Sequence, residues 1–166
     1  MEINGLIYKL SKELKWLIGA FIIVLSIGFY SGLLFVEETS TANPNGIEEQ
    51  YLGNEADEDA VVMKFKKSEQ EMLTLVHNHI LSMSIIFFLV GIILSITKLN
   101  KKLKLFLMIE PFISVILTFG GLYLLWKDML WMKYIVMCSG ILMTLTFTVS
   151  VVVIMSQLLQ SSTKNS

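Results

Sequence analysis

The sequence predicts an all-α integral membrane protein, an antiparallel bundle of four transmembrane helices. Three observations predict it. The 166-residue chain is 54% hydrophobic and 16% charged, where a soluble domain has about 25% charged residues, and its mean hydropathy is +0.68. Four apolar runs are each long enough to cross a hydrocarbon core of ~30 Å. Lysines gather in alternate short connections, which orients the runs consistently.

Residues 1–15 come first. Ile3, Leu6, Ile7, Leu10 and Leu14 recur at helical spacing with Lys9, Lys12 and Lys15 among them. They suit an amphipathic lead-in lying on the cytoplasmic leaflet, and as a basic flank they also set orientation. The first span, about residues 17–36, sits in a stretch free of charge from Trp16 to Val36. Ser40-Thr41-Ala42 resembles a cleavage site, but a signal-peptide core is only about 7–15 residues long. The helix is therefore expected to be retained.

Residues 37–72 form a polar loop holding 10 of the 14 acidic residues, with turn clusters at Asn43-Pro44-Asn45-Gly46 and Gly53-Asn54. Val61, Val62, Met63 and Phe65 form a brief apolar patch expected to lie on the mouth of the bundle. The acidic run Glu55 to Asp59 lacks the glycine and distal glutamate of a calcium loop and reads as solvated. Ser68 and Glu71 form a capping box, which starts the second span, about 73–97. Lys98, Lys101, Lys102 and Lys104 lie in the next connection. The third span, about 105–126, and the fourth, about 134–156, flank Lys127 to Lys133, and residues 157–166 are a polar tail. Both termini and the Lys98–Lys104 turn are expected in the cytoplasm. Trp16 then marks the inner interface, and Trp126 and Trp131 the outer one.

Composition narrows the function classes. Every one of the 13 basic residues is lysine and the net charge is −1, so there is neither a guanidinium clamp for phosphate nor a basic face for nucleic acid. Cys138 lies in an apolar run and reads as a small core residue. The sequence has no nucleophile elbow, no His-Glu-x-x-His and no phosphate-cradling glycine loop, so an enzyme is not expected.

Within lipid, small and weakly polar residues mark helix contacts. Such stripes run through His77, Ser84 and Gly91, through Glu110, Ser114, Thr118 and Gly121, and through Gly140, Thr144 and Thr148, with Gly19 and Ser26 completing the bundle from the first helix. Glu110 lies six residues beyond Lys104, ~9 Å into the span at ~1.5 Å per residue. Such a carboxylate needs a proton, a partner or water. It either pairs with Lys101, Lys102 or Lys104, or serves as a proton or ion contact. Pro111 beside it removes a backbone bond to the Leu107 carbonyl.

His77 and His79 are candidate metal ligands. They stand about 200° apart on a helix, so each needs partners from elsewhere. Met72, His79 and Met83 share a face, with Met129, Met132 and Met137 near the same level. Thioether with imidazole suits copper(I) or a b-type haem. His77, His79, Met72 and Met83 are accordingly the candidate cofactor-binding residues. A proton path from His79 to Glu110 would pass Ser84, Ser114 and Thr118 over roughly 18 Å.

The leading functional expectation is a small non-enzymatic multi-pass protein of a bacterial inner membrane. It would act as a homo-oligomer or as a subunit of a larger membrane complex, with lipid as its solvent and no nucleic-acid partner. The alternatives are a haem- or copper-binding redox or sensory module at His77 and His79, and a proton-coupled carrier centred on Glu110.

Overall fold

The computed structural model describes residues 4–40, 43–55 and 62–163, and all regular structure among them is helical. After a 3-10 turn at Leu6–Lys9 come α1 (Lys12–Ser40), α2 (Pro44–Leu52), α3 (Glu69–Ser95), α4 (Lys101–Val115), a π-helical turn (Ile116–Gly120), α5 (Gly121–Trp126) and α6 (Met132–Thr163). Four stretches are long and apolar enough to cross a membrane: Lys12–Thr39, Glu69–Ser95, Lys101–Trp126 and Met132–Gln160. The third comprises α4, the π turn and α5.

The core lies between α3, α4–α5 and α6, while α1 packs against α6 and α2. Glu110, Ser114, Thr118 and Gly121 are all buried, so the third span turns its small and polar stripe inward. On α6 the buried polar residues are Ser139, Thr146, Ser150 and Gln157, whereas Gly140, Thr144 and Thr148 are only half-buried. The expected seam is thus rotated by one to two positions. Thr148 faces α1 instead, where its hydroxyl meets the Tyr30 hydroxyl at 2.8 Å. On α3, Gly91 is buried but His77 is exposed, so only the far end of that stripe enters the core. Gly19 and Ser26 are half-buried, and α1 is fixed mainly by Ile18, Ile22 and Phe29. The Phe29 ring stacks on Phe147 at 4.0 Å, and Phe87 meets Phe147 edge-on at 6.2 Å, which ties α1 and α3 to α6 at one level.

At the lysine-rich end the N-terminal segment differs from a surface helix. Gly5 takes a left-handed φ of 79°. This lets the Gly5 and Ile7 amides donate to the carbonyls of Thr97 and Ile96, and Ile7 is fully buried. Lys104 donates to the Ser95 and Thr97 carbonyls and to Asn4, placing a cation on the carbonyl end of α3. Gln157 accepts from the Lys98 amide at 2.7 Å and donates to the Lys98 carbonyl at 3.0 Å. Its one amide group satisfies both backbone atoms of the turn.

At the loop end, Asn43 caps α2 by accepting from the Gly46 amide, and Pro44 occupies the first helical turn, where its missing N–H costs nothing. The Ser68–Glu71 capping box is present in full. Asn54 clasps the returning chain through the Lys64 amide and the Val62 carbonyl. Gly53 has φ 85°, and a Cβ there would stand 2.8 Å from backbone atoms of Lys64 and Lys66, so only glycine fits. Trp126 donates its indole N–H to the Lys67 carbonyl at 2.7 Å. Lys133 pairs with Glu48 at 2.6 Å, and Lys66 with Asp128 at 3.1 Å. Burial holds the Tyr51 phenol above its ordinary pKa. Val62, Met63 and Phe65 are exposed, so the expected apolar patch is not packed on the bundle; Val61 lies outside the described residues, as does most of the acidic run.

Candidate functional site

Glu110 sits on α4, just before Pro111, with 5% of its surface exposed. Thr118 on the third span meets Ser139 on α6 at 2.7 Å. A Cβ on Gly121 would stand 2.9 Å from Val136 and 3.2 Å from Met132. These contacts set the antiparallel register and place Glu110 level with Phe147 on α6. The stacking of His79 on Phe119 at 4.7 Å likewise places it level with Phe87 and Phe88 on α3. All of these neighbours are apolar or hydroxylic.

The expected pairing with lysine is not formed. Lys104 is committed to Asn4, Ser95 and Thr97, and Lys101 and Lys102 are exposed. Instead the Ser114 hydroxyl, one helical turn along, donates to Glu110 Oε1. Glu110 Oε2 is buried and has no hydrogen-bond partner among the described residues. Pro111 and the π turn follow within ten residues, so the backbone carrying the carboxylate is interrupted twice; such features recur at functional sites.

The histidines are placed differently. His77 and His79 are both exposed on α3. The Nδ1 of His79 lies 2.8 Å from the Leu75 carbonyl, so Nδ1 carries the hydrogen and Nε2 is left as an acceptor or ligand atom. Met72 is sealed in the core and Met83 is half-buried. Among the described residues no three His, Cys, Asp or Glu side chains form a group that could hold a metal ion. Cys138, expected in the core, is instead exposed on α6.

Several structural anchors carry weak sequence signals. Ser150 and Thr146 are hidden in a run of hydroxyl residues, and Gln157 belongs by composition to the polar tail. Asn43-Pro44 reads equally as a turn or as a cap with proline at the first helical position. Gly28 and Gly32 form a Gly-x-x-x-Gly pair on α1, both exposed, with open space where a Cβ would stand.

No curated protein and no solved structure matches the chain significantly. A family model described as a transmembrane helical domain matches residues 41–165, covering α2 to the end of α6. With four apolar helices long enough to cross a membrane, the chain is a multi-pass membrane protein and belongs to this family, Aq_1264_TM.

Proposed function

We propose that the protein is a non-enzymatic subunit or oligomeric partner of a larger membrane assembly. It resides in a bacterial inner membrane with both termini and the Lys98–Lys104 turn cytoplasmic. The observation that carries this is the outward face of α3. Thr74, His77, Asn78 and Ser82 are exposed within a span otherwise rich in Ile, Leu and Phe. Polar side chains in a membrane turn toward protein or water, because lipid offers them no hydrogen bond. A partner helix against this face would supply bonds to the His77 and Asn78 side chains, Ser82 already donating to the Asn78 carbonyl. The uncovered Gly28–Gly32 edge of α1 would admit a second close helix.

Native mass measurement in mild detergent tests this. The wild-type chain is expected as a dimer or a larger complex, and the variant Asn78→Leu with Ser82→Ala as a monomer. A wild-type chain that is monomeric from the first extraction would remove the proposal.

A second function, a haem or copper site, is supported by His79 alone, through its oriented ring and its available Nε2. The further ligand would come from a second copy or from a partner. An ultraviolet–visible spectrum with metal analysis decides it: a Soret band or stoichiometric copper that His79→Ala abolishes supports it, and a featureless spectrum without metal contradicts it.

A further inference from the structure

Outside the exposed α3 face, the most unusual group in the molecule is Glu110 Oε2, a buried oxygen without a partner inside the α4–α6 seam. The buried hydroxyls described along the α4–α6 seam all have their hydrogens committed. Ser114 gives its hydrogen to Glu110 Oε1. Ser139 donates to the Ile135 carbonyl, so Thr118 is the donor in their shared contact. Thr146 donates to the Leu142 carbonyl and Ser150 to the Thr146 carbonyl. Among the described residues, no buried hydroxyl of the seam has a hydrogen left for Oε2. Acceptors, in contrast, are in surplus. Each of these hydroxyls keeps lone pairs, and the Leu107 carbonyl receives no N–H from Pro111.

We infer that the Glu110–Ser114 pair is a proton-binding site, in which Glu110 is held as a neutral carboxylic acid with its hydrogen on Oε2. A site short of donors and rich in acceptors is completed by adding one donor, and a proton on Oε2 makes that atom one.

Charge points the same way. On α3 no titratable side chain lies between His79 and Lys98, and on α6 none lies between Cys138 and Lys164. On α1, Tyr30 is the one titratable group between Lys15 and Glu37, and its hydroxyl is bonded to Thr148. On α4, Lys104 is tied to the end of α3. The third span beyond Glu110 brings only Tyr123 before Lys127. Among the described residues no counter-charge faces Glu110, so an ionised carboxylate would be buried at that position without a partner charge. This inference is independent of the subunit proposal and survives its failure.

Infrared spectroscopy of the purified full chain in lipid at neutral pH tests it through the carbonyl stretch of a protonated carboxylic acid. The expected result is one such group per chain in the wild type and none in Glu110→Gln, unchanged when sodium replaces potassium. Should the variant fail to fold, carbon-13 labelling of glutamate carboxyls in the wild-type chain assigns the band by its isotope shift. Only Glu110 is a buried glutamate among the described residues. A wild-type spectrum with carboxylate bands alone overturns the inference. So does a protonated band that sodium or potassium converts to carboxylate, which would make the ligand an alkali cation.

Discussion

The first and third spans are almost equally apolar, with mean hydropathies of 2.3 and 2.0 over their richest stretches, yet 11% of the first and 50% of the third is buried. Hydropathy therefore identifies both as membrane spans and says nothing about which is core. In lipid no hydrophobic force drives helices together, because the tails are as apolar as leucine. The third span is central because Gly121 lets α6 approach closely and Thr118 shares a hydrogen bond with Ser139 on α6. The first span offers Ile, Val, Leu and Phe around most of its circumference, and it holds on through the Phe29 stack and one tyrosine hydroxyl. A partner or lipid must cover the remainder.

The contrast breaks first at the aromatic cluster. Phe147→Ala removes a fully buried ring that touches α1 and α3 together, and it is expected to cost about 3 kcal/mol. Ile27→Ala, exposed on α1, should change stability by no more than about 0.5 kcal/mol. Denaturation in mixed micelles measures both. A glycine pair sharpens the comparison. Gly121→Leu forces its side chain against Val136 and Met132 and should cost about 2 kcal/mol by overpacking. Gly28→Leu meets open space within the chain, so it should leave the monomer's stability unchanged and weaken only association. Thr118→Val should cost about 0.6 kcal/mol, the usual scale for an interhelical hydrogen bond in a membrane, since Ser139 keeps its own acceptor at Ile135.

The smallest effect lies in the loop. The Tyr51 phenol is raised by burial, so the neutral form is favoured when folded. Its contribution is complete below the unfolded value of about 10 and is lost as pH rises through the higher folded value. Alkaline unfolding followed by tyrosinate absorbance should be delayed in Tyr51→Phe relative to the wild type.

The spans, the capping box and the third-span stripe were legible because each depends on local pattern: length, cap spacing and small residues at i, i+4 and i+8. The rotated α6 seam was not. That helix carries hydroxyls on several faces, and only the neighbours choose between Thr144 and Thr146. The docking of Ile7 beneath α3 was equally hidden, because it depends on a left-handed Gly5 and on carbonyls supplied ninety residues away. The pairing expected of Glu110 failed for a related reason. Lys104 is near it in sequence, but the Ser95 and Thr97 carbonyls at the end of α3 are a stronger claim on that ammonium. His77 and His79 were visible as residue types, but the stacking of His79 on Phe119 was not, because it depends on the register between α3 and the third span.

One measurement compares the two exposed faces directly. A photo-reactive phenylalanine analogue is placed at position 78 on α3 or at position 27 on α1, and irradiated in intact membranes. Position 78 is expected to give a discrete protein–protein adduct, and position 27 chiefly lipid adducts. Lipid adducts alone from position 78 would contradict that expectation.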